Sequence, residues 1–185
     1  MRYGIVAAAL LAGAGISSGA EKAANVSVKS TLELRPGDDL KVLAGSWTCD
    51  GMARGPQGTA QTYKARFTNK WDLAGTWLSV RYDQTGGKAQ AQSPALGTGG
   101  YLGWDANAKR YQYVGVDSTG GWTSLSVASW SGNSLTLVGN RVNGDAKVPV
   151  RYTFTKGRTE RDLMFAVEVQ DAVKWNLESQ DTCHR

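Results

Sequence analysis

The sequence predicts an all-β fold, an antiparallel up-and-down meander barrel of about ten strands with a short N-terminal helix closing one end. Three observations predict it. From Ser46 onward apolar and polar residues alternate with period two, as half-buried strands require. Turn residues break that pattern at regular short intervals. A meander of this length hides its edges by closing on itself.

The elements follow in chain order. Residues 1–20, "MRYGIVAAALLAGAGISSGA", read as an export signal. Arg2 supplies the positive charge, Ile5–Ile16 the apolar stretch, and Ser18 and Ala20 the small residues before a cleavage site. The apolar stretch is short of the roughly 20 residues a membrane span needs, and no second such run follows. The expected location is therefore periplasmic or secreted, after cleavage near Ala20. Residues 21–37 are polar and aperiodic and read as a flexible leader. The barrel domain is expected over 38–185, a length sufficient for one sizeable core. In "DDLKVLAG", Asp38 or Asp39 caps a short helix, Leu40, Val42 and Leu43 form its apolar side, and Gly45 stops it.

Strands are expected at 46–54, 60–71, 76–84, 98–105, 109–117, 121–130, 134–141, 147–156, 161–169 and 172–182. The breaks between them are turn sequences such as "TGGK", "DSTGG", "NGD" and "KGRT". Residues 86–97, "GGKAQAQSPALG", are too long for a tight hairpin and are expected to form a lid or mobile rim. Alternation puts Val148, Val150, Tyr152 and Phe154 on the inner face of the eighth strand. The same reading turns Tyr63, Ala65, Phe67 and Trp71 inward, then Leu163, Phe165, Val167 and Val169, then Val173, Trp175 and Leu177. Strand 121–130 is ambiguous, since Trp122 and Trp130 share one face while Leu125 and Val127 share the other.

The chain has 2 cysteines. Cys49 lies in the first strand and Cys183 follows the last, and in a closed meander these strands are neighbours. An exported chain with two cysteines pairs them by default, and no Cys-x-x-Cys is present to suggest a redox pair. The bridge closes most of the domain into one loop, with an upper value of roughly 5 kcal/mol. Trp47, two residues after Gly45, is expected to plug the barrel end beneath the helix.

The pieces "LAGSWTCDG", "NKWDLAGTWLSVRYD", "YLGWDANAKRYQYVGVDSTGGW", "VPVRYTFTK" and "DTC" together resemble a bacterial family of secreted calycin-like (lipocalin-like) proteins of unknown function. Gly45 and Trp47 form the Gly-x-Trp that opens the first strand in calycins. The resemblance implies the barrel fold and no particular activity. It also implies an arginine from the last strand over Trp47. Here the last strand offers Lys174, of the wrong parity, and Arg185 lies beyond the cysteine.

The chemistry is sparse. The formal charge is +5 and the basic residues are scattered singly, which supports solubility and gives no nucleic-acid signal. His184 is the only histidine and is the penultimate residue of the sequence, a poor place for a catalytic base. No metal-ligand spacing occurs and no cofactor is implied. Glu168 and Glu178 face outward by parity. An enzyme is not expected. The leading expectation is a barrel that binds a small, largely apolar ligand, with Tyr63, Phe67, Tyr82, Tyr101, Trp104, Tyr113, Trp122, Tyr152, Phe165 and Trp175 as its candidate wall. Trp77 is a weaker candidate because Leu78, Val80 and Tyr82 claim the inner face of its strand. The alternatives are a non-catalytic envelope or interaction module with a packed interior, and an enzyme with an unrecognised site.

Overall fold

A computed structural model describes residues 37–55, 58–87 and 96–185. The expected signal and leader, and the centre of the 86–97 loop, lie outside the described residues. The chain forms ten antiparallel strands: β1 (Gly45–Arg54), β2 (Ala60–Asp72), β3 (Trp77–Gly87), β4 (Gly97–Asp105), β5 (Arg110–Asp117), β6 (Trp122–Val127), β7 (Ser134–Asn143), β8 (Ala146–Lys156), β9 (Asp162–Asp171) and β10 (Lys174–His184). Each pairs with its neighbours in sequence, and β1 pairs with β10 to close the barrel. The fold is thus the closed up-and-down meander that the period-two pattern predicts. Among the described residues, no helix is long and apolar enough to cross a membrane.

The seam is pinned covalently. Cys49 and Cys183 are direct partners across β1 and β10, and their disulfide spans 134 residues of sequence. Both are fully buried, so the bond lies on the inner face.

One barrel end is covered by the segment before β1. It is a six-residue 3-10 helix, Asp38–Leu43, in place of the capped helix that the sequence suggests. Its N-cap is Gly37 at φ 98, and no side chain caps it. Asp39 instead accepts a hydrogen bond from the Tyr111 hydroxyl at 2.6–2.7 Å, which ties the segment to β5. Leu40 and Leu43 are buried beneath it.

Trp47 is 1% exposed. Its indole Nε1 donates to the Leu43 carbonyl at 3.1 Å, and the Asn69 side chain donates to the same carbonyl at 2.8 Å. The Arg185 guanidinium lies 4.5 Å from the Trp47 ring centroid and donates to the Ala44 carbonyl at 2.7 Å. Arg185, although it follows β10, therefore takes the place that the resemblance assigns to a last-strand arginine. A cation over an indole face and a charged donor on an end carbonyl together close the rim around the plug.

The register fixes which residues face in. A regular β10 would place Cys183, Asp181, Ser179, Leu177 and Trp175 on one face. The strand carries a bulge between Leu177 and Ser179, where pairing with β9 slips. The extra residue inverts the alternation beyond it. Asn176 then sits opposite Val169, while Leu177 and Trp175 face solvent with Glu168 and Gln170. The inward expectation for Trp175 and Leu177 fails for this reason, and Arg151 stacks over the Trp175 ring at 4.8 Å on the outer surface. Val173 lies before β10 and is 91% exposed. Trp71 has the expected parity but stands where β2 outruns the covered core, and it is exposed.

Candidate functional site

Opposite the plugged end, the barrel interior narrows to a cavity of about 60 Å³ that opens toward the mouth. Its deep walls are Phe67, Tyr82, Phe154, Phe165 and Val167, with Tyr113 and Tyr152 above them. The rings pack on one another: Phe67 and Tyr82 at 4.7 Å, Phe67 and Phe165 at 5.1 Å, Tyr152 and Phe165 at 5.5 Å, and Phe154 and Phe165 at 4.8 Å between centroids. Edge-on and tilted contacts of this kind stabilise the wall beyond simple area burial. Tyr113 fits because β5 carries Gly115, where an added Cβ would meet the Tyr113 hydroxyl at 2.2 Å.

The mouth is polar. Gln84, Thr98, Arg141, Glu178 and Ser179 join Leu96 around it. Arg141, from β7, reaches across to Glu178 on β10 with two parallel hydrogen bonds of 2.7 and 2.8 Å. The pair is about one-third exposed, so it spans the mouth at the boundary between the apolar interior and water. Glu178 reaches inward because it is the bulged residue, which corrects its expected outward orientation. Arg141 shares the inner face of β7 with Leu135 and Leu137, and that parity was available in the sequence.

Below the cavity wall lies a second polar group. Asp181 is fully buried. It accepts from the Tyr63 hydroxyl at 3.1 Å and from the Tyr82 hydroxyl at 3.4 Å. Among the described residues no cation pairs with it. Burial raises its pKa to about 6, and the two phenols moderate that rise. Burial and the facing carboxylate also push both tyrosines above the ordinary phenol range. Gly51 makes the arrangement possible, since a Cβ there would stand 2.1 Å from the Tyr63 ring and 2.6 Å from the Asp181 carboxylate.

The ten expected wall residues separate into four groups. Phe67, Tyr82, Tyr113, Tyr152 and Phe165 line the cavity. Tyr63 faces in but is taken up by Asp181. Trp104 faces in at the plugged end, against Tyr111 at 5.0 Å. Tyr101, Trp122 and Trp175 face out, the first two being 40% and 48% exposed. Leu102 claims the inner face of β4, and Leu125, opposite Tyr113, claims that of β6. Trp77 also lies outside, its ring over Gly103. His184 is exposed and contacts Asp162 at 2.9 Å, far from the cavity. Among the described residues no group of side chains is placed to hold a metal ion.

The arrangement defines a calycin-like barrel with one plugged end, an aromatic interior and a charged clasp at the mouth. No family model matches the chain, and no curated protein matches it in sequence. Among solved structures, Rv2717c from M. tuberculosis aligns with a TM-score of 0.58 at 14% identity, over 80% of this chain and 94% of that one. That likeness shows the fold. Two further barrels align less well. EF1p2_mFAP2b bound to DFHBI does so at TM-score 0.42 and 7% identity, over 78% of this chain and 94% of that one. The S-type phycobiliprotein lyase CPES from Guillardia theta does so at TM-score 0.47 and 9% identity, over 82% and 93%.

Proposed function

We propose that this protein binds a small, largely apolar ligand in the barrel interior and is not an enzyme. The observation that carries the reading is the cavity itself, walled by packed aromatic rings and open only past a polar mouth. Sites of this kind place apolar surface at depth and a few polar groups at the entrance. The volume limits the ligand. About 60 Å³ is room for a few waters and far below the roughly 300–1,000 Å³ of sites for drug-sized molecules. The ligand is therefore compact, with its apolar part against Phe165 and Tyr82 and its remainder in the mouth beside Gln84 and Arg141. The proposal includes export, supported by the N-terminal residue pattern and by a buried disulfide that needs an oxidising compartment.

Native mass spectrometry of the exported protein tests this reading. Extra mass that leaves on denaturation supports it, as does displacement of a fluorescent apolar probe. Val167→Phe, which fills the cavity from β9, is expected to abolish probe binding without unfolding the barrel. Unchanged probe binding in that variant overturns the interior site. The small volume favours one other reading, an envelope or interaction module with a packed interior. That reading gains if neither native ligand nor probe binds. A screen on esters, peptides and glycosides checks the non-enzyme reading, and turnover lost in Val167→Phe would refute it.

A further inference from the structure

At the plugged end a cleft of about 440 Å³ lies between the 3-10 segment, the β8–β9 hairpin and Arg185. Four cations line it, Lys41, Lys156, Arg158 and Arg185, against one acid, Glu160. They come from three places in the chain, so no run of basic residues in the sequence marks them. Lys41 has a carboxylate partner, Asp38, at 3.3 Å. Lys156, Arg158 and Arg185 have none among the described residues. Two of these three are held on aromatic rings instead. Lys156 Nζ lies 4.1 Å from the Trp130 ring centroid, and the Arg185 guanidinium 4.5 Å from that of Trp47. Such contacts fix a cation in place without neutralising it.

The walls of the cleft are tied to one another. Arg185 donates to the Ala44 carbonyl beside the 3-10 segment, and Arg161 of the hairpin donates to the Arg185 main-chain oxygen at 2.7 Å. The Lys156 N–H donates to the Asn133 carbonyl at 2.9 Å, and the Thr159 hydroxyl closes the hairpin on Asp162 at 2.7 Å. The cations therefore surround one space that is already ordered, which lowers the cost of binding.

We propose that this cleft binds a phosphate monoester. The inference is independent of the interior ligand reading. Charge selects the class. Asp38 balances Lys41, Glu160 balances one further cation, and Arg161 and Asp162 of the hairpin offset each other, which leaves an excess of two positive charges. A phosphate monoester carries close to two negative charges at neutral pH, and its oxygens suit the arginine fork and the lysine ammonium alike. The volume lies within the roughly 300–1,000 Å³ of small-molecule sites, so the ester carries an organic remainder. Such a group arrives either free in solution or as a lipid headgroup.

Calorimetry with glycerol 3-phosphate tests the first source, and co-sedimentation with phosphatidylcholine vesicles containing phosphatidic acid tests the second. Binding in either arm is expected, and it should weaken as salt rises because the cleft is open to water. Lys156→Gln with Arg158→Gln should weaken it at least tenfold with an unchanged circular-dichroism spectrum. Arg158→Gln alone repeats the test should the double variant misfold. Lys147→Gln with Lys174→Gln removes the same charge from exposed positions at the mouth end and should leave binding unaltered. Lactate, a monoanion, should bind at least tenfold less tightly than glycerol 3-phosphate where the free ester binds. No binding in either arm up to about 10 mM phosphate overturns the inference. So does equal weakening in the two double variants, which would reduce the effect to net charge, and so does lactate binding as tight as that of the phosphate ester.

Discussion

Replacing Asp181 with asparagine should make the protein more stable at neutral pH. The carboxylate is fully buried, has only the Tyr63 and Tyr82 hydroxyls as partners among the described residues, and carries a pKa raised from 3.8 to about 6 by desolvation. A carboxyl whose folded pKa lies above its unfolded value binds its proton more tightly in the folded state. Its contribution is therefore fully present below the unfolded pKa and is lost as pH rises through the folded one. The gap between 3.8 and about 6 corresponds to about 3 kcal/mol. Between about pH 4 and pH 7 the wild type thus loses up to about 3 kcal/mol through this one group. Asp181→Asn keeps the side-chain volume and removes the charge, so that loss disappears. The assay is urea unfolding followed by tryptophan fluorescence for both proteins, at several values between about pH 4 and pH 8. Other carboxylates titrate alike in both proteins and cancel in the difference. The variant should match or trail the wild type near pH 4 and exceed it by 1–3 kcal/mol near pH 7, an order-of-magnitude range. A difference that does not vary with pH refutes the reasoning, because it would mean that the buried carboxylate gains as much from its tyrosines as it loses from water.

Other perturbations test other parts of the structure. Gly51→Ala forces a methyl into the Tyr63 ring and should cost about 1–3 kcal/mol by overpacking, measured by the same urea titration. Cys49→Ser with Cys183→Ser should lower the thermal midpoint by several degrees, with an upper cost of roughly 5 kcal/mol and no change in the circular-dichroism spectrum. Arg185→Ala removes both the cation over Trp47 and the donor to the Ala44 carbonyl. It should cost about 1–2 kcal/mol and raise hydrogen exchange in residues 38–45. Phe165→Ala opens the wall at the centre of the ring cluster. It should cost about 3–5 kcal/mol and strengthen binding of an apolar probe, read by fluorescence and calorimetry.

Strand count, order and turns were legible in the sequence because each rests on local chemistry. Period-two alternation marks a half-buried strand wherever it occurs, and Gly, Asn and Asp mark the turns. Closure followed from the length of the meander, and closure alone made Cys49 and Cys183 neighbours. The plug at Trp47 was legible for the same reason, since it opens the first strand beside the covering segment. Alternation, however, states only that two faces differ, and it counts correctly only along an unbroken strand. One extra residue at Glu178 sent Trp175 outward and drew Glu178 into the mouth, and nothing local in "NLESQ" announces that residue. Tyr101 and Trp104 have opposite parity, so both could not line one interior, and Leu102 in the core decides between them. The register Tyr113–Leu125 likewise resolves strand 121–130 and turns Trp122 to solvent. Asp181 shares parity with Cys183, but its partnership with two phenols depends on side chains from β2 and β3 that reach it across the barrel. The sequence by itself determined the barrel, its seam and its plugged end, because those follow from periodicity and chain order. Only the tertiary structure decided which aromatics enclose space and which charges meet at the mouth, because inside and outside are set by partners far apart in the chain.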